Sequence, residues 1–358
     1  MLPIAARAPE RIRHRLLARH HEAVSSRRVT GLVTWLRLMR YRDWVDRDRA
    51  LGTYAAARRG VSGAVVYSYY WSGFAAASSN SRAQGPSLLF QVHPPAREVQ
   101  RALSADRERT GCTFDVEPEE KASAEELDVF QRSLQIADGA ITASTYVAEA
   151  LANDGLPRHQ IAVVPYGAEA IQGDFFRERG HPGPLRALWV GQVVYRKGIH
   201  DVLEAVDALG GDVRLTLVTR AISPHWAERL GSNVEVVVNP TRQELQRLYA
   251  QHDVFVLPSL IEGFGLVYLE AMAAGLAVIG TTNTGLPDVI TDGVEGRVLP
   301  VGRPDELANT LAELARSREL SEEMGRAARV TAKTFTWARF RQGVLSAASA
   351  AETRRRQS

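Results

Sequence analysis

Apolar and polar positions alternate most regularly in the second half of the chain. Short apolar runs at 185–190, 213–218, 234–238, 254–257, 277–279 and 297–299 are separated by segments of helical periodicity at 200–209, 224–230, 242–251 and 265–274. Runs this short and this apolar suit parallel strands buried on both faces. Strand and helix in strict alternation predict a doubly wound α/β domain. Further helices are predicted at 305–316, 321–333 and 336–350, followed by a charged tail, 351–358, that is expected to be disordered.

The first half is less regular. Residues 1–60 show helical patterns and no convincing strand. Strands are predicted at 64–70, 87–92, 139–144 and 161–165, with helices at 96–104, 119–137 and 145–154. A soft Ser/Gly/Ala stretch runs through Gly85. The segment 177–184, R-E-R-G-H-P-G-P, reads as an interdomain linker. The pattern therefore predicts one domain over 1–178, atypically helical in its first 60 residues, and a second over 179–335.

Composition changes little in this picture. A chain of 358 residues with 45% hydrophobic and 24% charged residues is an ordinary globular one. No apolar stretch approaches the roughly 20 residues that span a bilayer, and no signal-peptide core is present. Cys112 is the single cysteine, so no internal disulfide can form and a cytosolic location is the expectation. Of 44 basic residues only Lys121, Lys197 and Lys333 are lysines, so a lysine at a motif position is informative. Residues 1–50 hold twelve arginines against five acids. The plain reading is a solvated helix face; the functional ones are a patch for anionic lipid, with peripheral contact at the inner membrane face, for nucleic acid or for a phosphorylated acceptor. No aromatic-interleaved basic motif or zinc-finger spacing points to nucleic acid.

Two stretches carry candidate chemistry. The first, at 253–275, reads D-V-F-V-L-P-S-L-I-E-G-F-G-L-V-Y-L-E-A-M-A-A-G: a strand, a glycine-rich turn and a helix closed by Gly275. Such a turn aims free backbone N–H groups and a helix dipole at an anion. Glu262 and Glu270 bracket it, and carboxylates bind hydroxyls rather than phosphate, so a sugar nucleotide is the guest that fits. The second, W-V-G-Q-V-V-Y-R-K-G at 189–198, places Arg196 and Lys197 after the domain's first strand, near the expected switch point, where they suit a departing diphosphate. A charged loop before a surface helix is the duller alternative. No G-x-G-x-x-G follows any strand, and His, Cys and acid spacing gives no metal cluster.

Together these stretches resemble the retaining glycosyltransferases of the two-Rossmann-domain (GT-B) type, in particular glycosyltransferase family 4. V-V-P-Y-G-A-E at 163–169, T-T-N-T-G-L-P-D-V-I-T-D-G-V-E-G at 281–296 and the closing F-T-W at 335–337 add to the likeness, which covers the chain from about Ala64 onward. The resemblance implies two Rossmann-like domains facing across a cleft, with the helix at 336–350 returning to the first. It implies that Arg196 and Lys197 hold the donor diphosphate, that Glu262 binds the transferred sugar and Glu270 the ribose, and that Gly263, Phe264, Gly265 and Leu266 cradle sugar and phosphate through their backbone. His93, ending an N-domain strand, would face the reacting sugar; a histidine capping a loop is the alternative. Tyr166–Gly167 reads as a structural turn. The implied activity is hexosyl transfer from a UDP- or GDP-sugar to a glycan or lipid-linked acceptor, with retention and without cofactor or metal.

Two departures stand out. The strand and Gly-rich loop that usually open such chains are not found, so the expectation is that this one starts late and that its first sheet lacks an N-terminal strand. Gln192, expected among the donor-binding residues, stands where many relatives have Arg. The rival readings are a nucleotide-sugar-binding remnant without turnover, which the first departure favours, and a sugar-nucleotide epimerase of the same architecture, which the E-G-F-G turn argues against. A glycosidase using the two glutamates would need neither the R-K-G loop nor a phosphate turn.

Overall fold

The computed structural model describes residues 65–68, 86–135, 137–168 and 183–357; the helices expected over 1–60, the Ser/Gly/Ala stretch and most of the linker lie outside them. The first sheet contains, among the described residues, β1 (Val65–Ser68), β2 (Ser87–Gln91), β3 (Gly139–Thr142) and β4 (Ile161–Val163), all parallel and in spatial order β1-β2-β3-β4. The second contains β5 (Leu185–Val190), β6 (Val213–Thr219), β7 (Val234–Val238), β8 (Val254–Leu257), β9 (Ala277–Thr281) and β10 (Gly296–Leu299), in order β10-β9-β8-β5-β6-β7. Every pairing is parallel. This is the doubly wound order, and the progression of strands across the sheet reverses between β5 and β8, where such sheets bind ligands outside the carboxyl ends of their strands.

The apolar runs explain the layers. All residues of β8 and β9 are buried, so helices must cover both faces of the sheet. Between the strands run α1 (Ala96–Thr110), α2 (Ala124–Gln135), α3 (Thr145–Asn153), α4 (Ile199–Ala208), α5 (Pro224–Ala227), α6 (Arg242–Gln251) and α7 (Leu266–Ala273). Ser144 caps α3 by accepting from the Val147 amide, and Thr241 and Glu244 form a reciprocal box at the start of α6. The last helices are α8 (Pro304–Arg316), α9 (Arg318–Ala332) and α10 (Trp337–Gln357).

Three sequence expectations change. The helix predicted over 119–137 is split: a 3-10 turn at Pro118–Lys121 precedes α2, because Ser123 begins a new capping pair with Glu126. The helix expected over 96–104 continues to Thr110 and stops at Gly111, whose φ is 68°. Residues 351–357 of the tail expected to be disordered form the end of α10. Its alanines pack: Ala347 and Ala351 sit in one buried cluster with Leu88, Ile141 and Val164, so α10 lies against the first sheet. Arg355 pairs with Asp138 at 3.6 Å and Arg356 with Glu352.

The main core does not stop at the domain boundary. Val99, Ala102 and Leu103 of α1, and Ala143, belong to the same buried cluster as β5, β8 and β9. The smaller cluster under α10 is confined to the first sheet. Deleting residues 351–358 should therefore remove Ala351 from the Leu88–Ile141–Val164 patch, leaving Ala347 in place, and cost about 1–2 kcal/mol, below most large-to-small core changes. Thermal denaturation checks this, and an unchanged midpoint would contradict it.

Candidate active site

The carboxyl ends of β5 and β8 carry the two motifs, and backbone contacts lock them together. Beyond β5 the chain forms a 3-10 turn, Tyr195–Lys197, and Gly198 then opens α4 at φ 64°. A Cβ on Gly198 would lie 1.9 Å from the Pro258 carbonyl oxygen, so this crossing admits only glycine. The Leu260 amide donates to the Arg196 carbonyl at 2.8 Å. Side chains complete the join. The Lys197 ammonium contacts Glu262 Oε2, and Arg196 Nη1 lies 3.3 Å from the same oxygen. Arg196, Lys197 and Glu262 thus share one mostly buried cluster.

Burial sets the electrostatics. Desolvation, reinforced by neighbouring Arg196, pushes the Lys197 ammonium down to about 7. His93 is pushed down to about 4, first by burial and then by Arg196 and Lys197. Its imidazole is therefore neutral at physiological pH and lies within the field of both cations, which places the end of β2 over the site. Its Nδ1 lies 3.4 Å from the Pro94 carbonyl oxygen.

The E-G-F-G turn meets the first domain directly. Ser144, at the end of β3, donates to the Gly263 carbonyl at 2.6 Å. A Cβ on Gly263 would come within 1.9 Å of the Val92 carbonyl oxygen. Thr145 and its amide bond Asp288, giving a further tie across the boundary. Gly265 caps α7, and the amides of Phe264, Gly265 and Leu266 donate to no acceptor among the described residues. They are the free donors of a helix start. The Phe264 ring is buried, edge-on to Tyr166 at 5.3 Å, while Leu266 is exposed. Glu270 is one turn further along and accepts from the Tyr249 hydroxyl at 3.0 Å.

The structure therefore brings together Arg196, Lys197, Glu262, Gly263, Phe264, Gly265 and His93. Gln192 is on the same loop but exposed, its carbonyl taken by the Val194 amide. Sequence reasoning missed three residues. Glu117 pairs with Arg196 Nε at 3.1 Å. Asp115 accepts from the Tyr195 amide at 2.7 Å and from Trp226 Nε1 at 3.2 Å. Tyr249 is the partner of Glu270. Each contact joins segments far apart in the chain, and nothing in local pattern announces it.

One trio of potential metal ligands comes together among the described residues, Asp106, His200 and Asp201, which spacing along the chain did not show. Arg109 bonds both carboxylates at 2.6 Å, so a guanidinium already stands between them. Burial pushes the Asp106 carboxyl up, but hydrogen bonds from His200 and Tyr195 outweigh it and hold the group at about 2. This cluster fastens α1 to α4.

Residues 172–331 match the family described as "Glycosyl transferases group 1". The matched stretch spans the second domain, which is similar to that family. Among curated relatives, sulfoquinovosyl transferase SQD2 of Arabidopsis thaliana is 31% identical over 163 residues, covering 44% of this chain and 32% of that protein. D-inositol 3-phosphate glycosyltransferase of Paenarthrobacter aurescens (strain TC1) is 27% identical over 294 residues, covering 76% and 69%. The chain thus spans about a third of the first relative's length. Solved structures share the fold. Sucrose-phosphate synthase from Thermosynechococcus elongatus aligns with a TM-score of 0.65 at 21% identity, over 89% of this chain and 78% of that one. Anabaena Alr3699/HepE, solved in complex with UDP and glucose, aligns at 0.64 and 17% identity, over 85% and 81%. The architecture is that of GT-B glycosyltransferases, two Rossmann-like domains.

Gly263→Ala tests the crossing of turn and first domain. The added methyl must push Val92 away, so a loss of about 1–3 kcal/mol is expected from overpacking. Denaturant titration reads it, and a variant as stable as the parent would remove the close contact from the account.

Proposed function

We propose that the chain transfers a hexosyl group from a UDP- or GDP-sugar to a glycan or lipid-linked acceptor, with retention of configuration and without a metal. One observation carries the reading: two mostly buried cations and a carboxylate meet at the switch point, beside a turn whose three amides donate to no acceptor among the described residues. Cations and amides suit the diphosphate; the carboxylate suits sugar hydroxyls. Anabaena Alr3699/HepE, which shares the fold, holds UDP and glucose, a pair that agrees with such a guest.

In this reading Arg196 and Lys197 stabilise charge on the departing diphosphate. The bond from the anomeric carbon to the phosphate oxygen breaks as the acceptor hydroxyl attacks from the same face, and its proton passes to a phosphate oxygen. No enzyme nucleophile is needed. Glu262 orients the sugar, Glu270 takes the ribose hydroxyls, and neutral His93 offers a hydrogen bond without adding charge to the reacting centre.

Two outcomes are expected. Supplied with labelled UDP- or GDP-sugars, the protein should hydrolyse one donor slowly, and Glu262→Ala or Lys197→Ala should lower that rate by about 10²-fold, as losing one charge-stabilising group does. Tight donor binding without turnover under any condition would instead identify a nucleotide-sugar-binding remnant.

The second outcome concerns pH. Free Lys197 is cationic below about 7 and neutral above it, whereas a bound diphosphate favours the cation. UDP affinity should therefore fall as pH rises through 7, by up to about tenfold per unit, and Lys197→Arg should flatten the dependence. Calorimetric titration between pH 6 and pH 9 reads this, and a flat profile for the parent protein would contradict it.

A further inference from the structure

Arg196 is held by two carboxylates from different domains. Glu262 faces Nη1 from the turn after β8, while Glu117 faces Nε, at 3.1 Å, from the segment that follows α1. Nη2 has no partner among the described residues. Glu117 is itself secured, its amide donating to Glu120 Oε1 at 2.8 Å while Arg107 grips the Glu120 carboxylate through Nε and Nη2. Arg107 also lies over the Tyr195 ring, 4.4 Å from its centroid, and bonds the carbonyls of Cys112, Phe114 and Asp115.

The same segment seizes the R-K-G loop one residue earlier. Asp115 takes the Tyr195 amide, Asp106 takes the Tyr195 hydroxyl at 2.6 Å, and His200 stacks on the ring at 4.5 Å between centroids. Residues 106–120 thus fix backbone, ring and neighbouring guanidinium of one three-residue turn. A guanidinium clamped at Nε and Nη1 can rotate little, so the direction of Nη2 is set by both domains together.

We propose that Glu117 is a positioning residue of the first domain: it orients Arg196 so that Nη2 addresses the donor diphosphate. This rests on the donor-site reading above. It makes the phosphate site a composite of both domains. It also explains a carboxylate placed where a diphosphate would be repelled. Glu117 costs some ground-state attraction for the anion and returns a fixed guanidinium, an arrangement that serves the leaving group more than the resting donor. Burial pushes the Glu117 carboxyl above its ordinary value, against the pull of Arg196.

The test is a double-mutant cycle on the full chain with Glu117→Ala, Arg196→Ala and the pair, with Glu117→Gln as the conservative variant. Binding of UDP and of GDP is measured by calorimetry, and hydrolysis of UDP-glucose and GDP-mannose by product release. Glu117→Ala should lower kcat about tenfold while nucleotide affinity stays level or tightens, the split that marks an interaction made mainly in the transition state. Glu117→Gln, which keeps an acceptor oxygen, should recover most of the rate. In the Arg196→Ala background, Glu117→Ala should change kcat by less than about twofold, because coupled residues are not additive. Equal losses in both backgrounds, or a Gln variant as slow as Ala, would overturn the role of Glu117. If Arg196→Ala binds nucleotide and turns over like the parent, or the parent binds neither nucleotide, the donor-site reading itself fails, and the role of Glu117 with it.

Discussion

Two cations largely taken out of water beyond the carboxyl end of β5, beside the turn that follows β8, constrain everything around them. Arg196 and Lys197 are mostly buried, and burying unpaired charge costs several kcal/mol. Glu262 and Glu117 offset that cost, and supplying them fixes much of the architecture. Glu262 can reach only because the turn after β8 folds back onto the R-K-G loop, with Gly198 against Pro258. Glu117 can reach only because α1 shares a core with the second domain. The ion cluster therefore ties two strands of one sheet to a helix of the other domain.

This explains why the glycines of both motifs sit where they do. Gly198 and Gly263 are not simply flexible points; each lets a backbone carbonyl approach where a methyl would stand. At Gly198 the neighbour is the end of β8, and at Gly263 it is the end of β2. The two close approaches bring cations, carboxylate and His93 within one another's electrostatic reach, which is how the nearby cations help to keep His93 neutral.

Much of the second domain was legible in the sequence because its strands are buried on both faces. Runs such as V-F-V-L at Val254–Leu257 leave few alternatives, and that element falls where the apolar pattern predicts it. The first domain was harder, since its helix ends depend on single caps: Gly111 ends α1 a full six residues beyond the expected stop, and Ser123 restarts α2. The tail was misread for a related reason. A-A-E-T-R-R-R-Q looks like a solvated terminus until β2 and β3 supply the surface on which Ala347 and Ala351 pack. At the candidate site, Arg196, Lys197, Glu262 and Glu270 stood out in the sequence because glycine-rich turns flag them locally, and the structure brings the first three into contact. Glu117 and Asp115 were not, because their importance lies in contacts spanning some 80 residues, which local periodicity does not record.

The central claim is that the buried cluster receives a diphosphate shared by both domains. A crystal structure with UDP bound tests it most directly. The account predicts the diphosphate beside Lys197 Nζ and Arg196 Nη2, within hydrogen-bonding distance of the amides of Phe264 to Leu266, with the ribose at Glu270 and Glu117 still on Arg196 Nε. Nucleotide bound away from the R-K-G loop, with the Arg196–Glu262–Lys197 cluster unchanged, would contradict it.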